Sequence, residues 1–105
     1  MPSNASAGVD TERPTRLEKE VREPARYRVL LHNDNYTSME FVVGILRSIF
    51  HRTLEDATAI MLDVHQHGIG QCGVYTREVA ETKMALVHKA ARQAGFPLKC
   101  SLEKL

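Results

Sequence analysis

The stretch Leu30-Leu31-His32-Asn33-Asp34-Asn35-Tyr36-Thr37-Ser38-Met39-Glu40-Phe41-Val42-Val43 decides the fold. An apolar run stops at three short polar side chains, and a helix pattern starts at once. Upstream, Tyr27, Val29 and Leu31 alternate with Arg26, Arg28 and Leu30, which predicts a strand of about five residues with one apolar face. Downstream, Val42, Ile45, Leu46 and Ile49 repeat at i, i+3, i+4 and i+7, with Met39, Val43 and Phe50 widening the stripe, which predicts a helix over 38–50. Thr37 and Glu40 have the spacing of a capping box, in which each side chain takes a free amide of the first turn. Asn33, Asp34 and Asn35 therefore fall in a short turn pinned at both ends. Asn and Asp favour turns because they bond their own backbone and tolerate left-handed dihedrals. Acceptors on a pinned loop also present a binding site well.

Working outward, Thr53 with Asp56 three residues on marks the start of a second helix. Leu54, Ala57, Ile60, Met61 and Val64 are expected on its inner side. Gly68 suits the left-handed position that ends it. Gly68-Ile69-Gly70 reads as a connection and Cys72–Tyr75 as a short strand, with Gly73 suggesting a bulge or a close backbone approach. Thr76 is the expected N-cap of a third helix, with Glu78 in its first turn and Ala80, Met84, Val87 and Ala91 along one face. Gly95 and Pro97 end that helix, and Leu98, Cys100 and Leu102 alternate into a third strand. Strand, helix, helix, strand, helix, strand is a βααβαβ order, which predicts a two-layer α+β domain over 26–105.

Residues 1–25 differ in character. They hold three of the four prolines, and their sizeable aliphatics are Val9, Leu17 and Val21. Such a segment buries too little apolar surface to offset its ordering entropy, so it is expected to be a disordered extension.

Composition excludes several classes. The 105 residues suit one domain, and a net charge of +1 with 6% aromatics leaves no basic, base-stacking surface for nucleic acid. No apolar run approaches the ~20 residues that span a bilayer, and no apolar export segment opens the chain, so a cytoplasmic location is expected. Cys72 and Cys100 match no metal or redox spacing and are expected as free, buried thiols.

Three kinds of chemistry can be drawn from the polar residues. His65, His67, Cys72 and His32 could be grouped around a metal, but His at i and i+2 on a helix diverge by about 200°. No metal or other cofactor is expected. A thiol nucleophile needs an exposed, electropositive setting, and Cys100 falls on an apolar face, so an enzyme is not expected. Recognition of an ammonium group fits better. Asn33, Asp34 and a neutral His65 offer three acceptors to its three donors. Met39, Val42, Met61 and Val64 lie near them in sequence or helix phase, and polar groups at the mouth of an apolar pocket suit an amine attached to a large apolar group.

Asn33-Asp34-x-Tyr36-Thr37-x-Met39-Glu40-Phe41-Val42, Met61-Leu62-x-Val64-His65, Cys72-Gly73-Val74-Tyr75-Thr76, Glu78-Val79-Ala80-Glu81-Thr82-Lys83 and Pro97-Leu98-x-Cys100 occur here in one order. Together they closely resemble the bacterial ClpS adaptor family over about Tyr27 to Lys104. The resemblance implies a three-stranded antiparallel sheet with three helices on one side. It implies an adaptor that binds N-terminal Leu, Phe, Tyr or Trp of N-degron proteins and delivers them to the ClpA unfoldase of the ClpAP protease. By position, Asn33, Asp34 and His65 correspond to the α-amino clamp. Leu31, Asn35, Thr37, Met39, Val42, Met61, Val64 and Leu98 correspond to the side-chain pocket, with Met39 a gate against β-branched residues. Glu78 and Lys83 correspond to positions facing the ClpA N-terminal domain, and residues 1–25 to the tail that the unfoldase engages. The adaptor is expected to act as a monomer. Three positions depart from the family: Asn35 stands where a second aspartate is usual, Ser38 where proline is, and His32 where an aliphatic residue is.

Overall fold

The strand around Tyr27–Leu31 is β1, Arg26–His32, the centre of a three-stranded antiparallel sheet. The computed structural model describes residues 23–105. Of the extension expected over 1–25, residues 1–22 lie outside the described residues, and 23–25 have no regular structure. In chain order come α1 (Met39–Ser48), α2 (Leu54–His67), β2 (Ile69–Thr76), α3 (Arg77–Ala94) and β3 (Lys99–Lys104). The order across the sheet is β2-β1-β3. The architecture is the expected α+β arrangement.

Alternation on β1 sorts the two faces of the sheet. Val29 and Leu31 are fully buried beneath the helices. Arg28 lies on the opposite face, where it donates to Gln71 Oε1 at 2.9 Å and Glu103 Oε1 at 3.1 Å. The core joins Val29 and Leu31 to Val42, Ile45, Leu46 and Phe50 of the first helical segment, Ala57 and Val64 of α2, Ala80, Val87 and Ala91 of α3, and Cys72, Leu98 and Cys100. Each large side chain so buried stabilises the fold by about 1.5–3 kcal/mol.

Two local features place the edge strand. Val29 pairs with Gly73 and Leu30 with Gln71, so Cys72 is an extra residue, a β-bulge beside the glycine that suggested one. His51, at φ 56°, turns the chain after α1 so that the Arg52 amide reaches the Leu46 carbonyl. The Arg52 guanidinium then donates twice to the Cys72 carbonyl, from Nε at 2.9 Å and Nη2 at 2.7 Å. The bulge thus keeps a partner for a carbonyl that interrupted pairing would otherwise leave short.

The helix stops are as expected. Gly68 (φ 86°) and Gly95 (φ 79°) end α2 and α3 in the left-handed region. Thr53 caps α2 by accepting from the Asp56 amide at 3.1 Å. Thr76 occupies the N-cap of α3 without a side-chain cap bond.

Three local expectations need correction. Leu54, expected on the inner side of α2, is 56% exposed, because it opens the helix before α2 reaches the core. Ile69 and Gly70, expected in a connection, are the first residues of β2, drawn in by pairing with His32 and Leu31. A side chain at Gly70 would press on Val64 and the Ile60 carbonyl, so glycine there lets β2 lie close against α2. The third is the cap of α1, described with the site.

Candidate functional site

Strand β1 ends at His32, whose Nε2 lies 2.7 Å from Ser101 Oγ on β3. The next amide, of Asn33, donates to the Gly68 carbonyl at 3.0 Å. That bond ties the polar turn directly to the end of α2. Asp34 then organises the turn. Its Oδ1 accepts from the amides of Tyr36 (2.8 Å) and Thr37 (2.7 Å), and its Oδ2 accepts from the Thr37 hydroxyl (2.7 Å). Partial burial pushes the Asp34 carboxyl up, but these three bonds favour its charged form and hold it below its ordinary value.

The Thr37/Glu40 capping box does not form. Asp34 takes both the amide and the hydroxyl of Thr37, and the chain stays extended for one more residue. Ser38 (φ −71°, ψ 151°) becomes the N-cap of α1 and accepts from the Phe41 amide at 3.1 Å. Ser38 therefore supplies the cap itself. The spacing Asp34-x-x-Thr37 was the available signal, since Asp and Asn capture backbone amides two and three residues on.

Between the turn, the start of α1 and the last turns of α2 lies a cleft of ≈ 250 Å³. Asn33, Asp34, Asn35 and Thr37 line it from the turn, Met39 and Val42 from α1, and Met61, Val64 and His65 from α2. Nine residues expected at a clamp or pocket are thus brought together. The bonds that hold the turn use backbone amides, Asp34 and the Thr37 hydroxyl; they do not consume the carboxamides of Asn33 and Asn35 or the imidazole of His65. Asp34 Oδ2 takes one bond and has capacity for another. Val42 and Val64 are buried, whereas Met39 is 45% exposed. Leu31 and Leu98, also expected in the pocket wall, are buried in the core cluster that includes Val42 and Val64. Leu31 belongs to the inward face of the central strand, and Leu98 enters the same cluster just before β3.

Glu78 and Lys83 lie elsewhere, on α3. With Val79, Thr82 and Leu86 they line a shallow depression. The Lys83 ammonium is turned inward. It donates to the Ile49 carbonyl at 2.7 Å and stands 5.7 Å and 5.2 Å from the Phe50 and Tyr75 ring centres. It secures the end of α1 and leaves its stem on the surface.

Cys72 and Cys100 are free and buried. Burial raises both thiols, Cys100 to about 12 and Cys72 further still, with the neighbouring thiol adding to the effect at Cys72 and Arg52 opposing it. Neither has the depressed, accessible thiolate of a nucleophile. Among the described residues no group of three His, Cys, Asp or Glu could hold a metal ion, and no helix is long and apolar enough to cross a membrane.

The family described as ATP-dependent Clp protease adaptor protein ClpS matches residues 22–101. The chain belongs to the ClpS family. Its ClpS relatives include the ATP-dependent Clp protease adapter protein ClpS of Nitratidesulfovibrio vulgaris (strain Miyazaki F), 62% identical over 98 residues, which span 93% of this chain and 96% of the relative. The ClpS of Phenylobacterium zucineum is 54% identical over 101 residues, spanning 96% and 93%. Among solved structures, Agrobacterium tumefaciens ClpS2 bound to L-phenylalaninamide matches with a TM-score of 0.76 and 34% identity, covering 79% of this chain and all of that one. The chain is thus a ClpS adaptor of a Clp protease, with the ClpS fold around the cleft described above.

Proposed function

We propose that the cleft receives the first residue of a polypeptide. Its α-ammonium is held by Asn33, Asp34 and His65, and a Leu, Phe, Tyr or Trp side chain lies among Met39, Val42, Met61 and Val64. The observation that carries this reading is the two-ended lining of one cleft: a carboxylate, carboxamides and an imidazole beside thioethers and valines. L-Phenylalaninamide, the ligand of the A. tumefaciens relative, supports it. That molecule has a free α-amine, a large apolar side chain and a neutral amide where a peptide bond would continue, so it stands in for the start of a chain.

The energetics suffice. Burying a large side chain contributes about 1.5–3 kcal/mol. Each hydrogen bond to a charged group adds roughly 1.5–3 kcal/mol at best. After association costs this reaches micromolar affinity or tighter. As a ClpS adaptor of a Clp protease, the protein is read as holding the guest while the protease hydrolyses it.

Delivery belongs to the same proposal. The α3 face around Glu78, Val79, Lys83 and Leu86 is the docking surface for the N-terminal domain of ClpA, residues 1–25 are the handle that the unfoldase engages, and the adaptor works in the cytoplasm as a monomer. A fluorescence-polarisation titration with a Phe-initiated peptide tests the cleft. Acetylating the peptide's α-amine is expected to abolish binding. Equal binding of the free and acetylated peptides would refute the clamp.

A further inference from the structure

The sulfur-bearing side chains of the described residues are Met39, Met61, Cys72, Met84 and Cys100, and the fold treats them unequally. Both thiols are buried, Met61 and Met84 are half-buried, and Met39 stands out at 45% exposed. Met39 opens α1 directly after the polar turn, and its side chain also lines the cleft. The most exposed of these residues therefore lines the cleft from its apolar side.

We infer that Met39 is a reversible oxidation site through which peroxides close the cleft to large apolar side chains. The inference rests on the peptide-binding reading of the cleft. In the reaction the thioether sulfur donates a lone pair to one peroxide oxygen. An S–O bond forms, the O–O bond breaks, and the departing hydroxide takes a proton and leaves as water. Sulfur is oxidised by two electrons and the peroxide is reduced. A dithiol-dependent reductase reverses the change, giving methionine, water and a disulfide.

Two features direct the chemistry to this atom. Thiols react with peroxide as thiolates, and burial raises Cys72 and Cys100 so that both stay protonated at neutral pH. The thioether of Met39 has no such requirement, and its residue is the most exposed of the five. The product is a polar, chiral sulfoxide in a wall otherwise built with Val42, Met61 and Val64. A guest side chain would have to strip water from that dipole without offering it a donor, and a Phe or Leu side chain has none to offer. The polar turn is untouched, because its bonds involve no sulfur.

The test uses the full chain and hydrogen peroxide. Peptide mapping by mass spectrometry follows each methionine, Met1 included, while fluorescence polarisation follows a Phe-initiated peptide. Sulfoxide is expected at Met39 ahead of Met61 and Met84. Affinity should fall at least ~tenfold as that peptide converts, and should return after treatment with both epimer-specific methionine sulfoxide reductases and dithiothreitol. In Met39→Leu, the ratio of treated to untreated affinity is expected to stay near one, whatever that variant's own starting affinity. Oxidation of Met61 or Met84 first, full affinity with Met39 oxidised, or an equal treated-to-untreated loss in Met39→Leu would each overturn the inference. Absence of binding before any peroxide is added is a different result, which sinks the peptide-binding reading and this inference with it.

Discussion

The polar turn over 33–37 and the outer face of α3 are both exposed, yet they are built in opposite ways. In the turn, the amides of Asn33, Tyr36 and Thr37 are all bonded, and a carboxylate sits at the centre. On α3 the prominent groups are Val79 and Leu86, 43% and 46% exposed, and the ammonium of Lys83 points back into the fold. One surface offers a few fixed acceptors beside a small apolar recess, and so discriminates by chemistry at a point. The other offers apolar area without fixed polar direction, which suits a broad partner face. On the proposed reading one surface takes the guest and the other the unfoldase, and their placement on different elements would let each act without disturbing the other.

The largest test of that division is Asp34→Ala. It removes the charged acceptor and the centre of the turn together, so affinity for a Phe-initiated peptide is expected to fall by ~100-fold or more. Binding of the ClpA N-terminal domain by the same variant is expected to stay within about twofold, since well-separated sites act independently. Calorimetry against each partner measures both. Next is Leu86→Asp, which places a charge in the α3 depression. A loss of about tenfold in ClpA-domain binding is expected, the scale of a substantial interface contact. Peptide affinity should be unchanged, and a parallel fall in both would show that the two surfaces are coupled.

How far the sequence reveals this division varies by residue. Gly68 and Gly95, as well as Thr53, announced their helix ends, because those signals act within a few residues of chain. The members of the cleft were legible from residue type and helix phase, together with the family resemblance. Ser38 was not read as the cap, because Thr37 and Ser38 are both good caps and the choice depends on Asp34 having taken the threonine. Ile69 and Gly70 look like a linker until β1 pairs with them, and pairing at that separation leaves no local pattern.

A smaller effect isolates the lock from the clamp. Thr37→Val keeps the Asp34 carboxylate and removes the hydroxyl that donates to it. A loss of about 1 kcal/mol in stability is expected by urea denaturation, the usual net value of one hydrogen bond. Peptide affinity should change far less than in Asp34→Ala; an equal loss would mean that turn geometry matters more than charge.

The smallest effect is one of pH. The Asp34 carboxyl is held below its ordinary value of 3.8 in the folded chain. Its contribution to stability is therefore complete above that value and is lost as pH falls through the lower, folded one. Hydrogen exchange is expected to show the Tyr36 and Thr37 amides losing protection below about pH 4 before the amides of α3 do. Simultaneous loss would show that the turn has no separate stability.

The bond from the Asn33 amide to the Gly68 carbonyl has a consequence for timing. It fastens the turn to the end of the helix that carries His65, so two walls of the cleft share one anchor. On the proposed reading, jaws joined in this way are set before the guest arrives, so association is expected to be a single encounter whose speed is set by diffusion and orientation, with the strength of the hold expressed mainly in how long the guest stays. For the carrier proposed above, that would place control in the exit and not in the entrance.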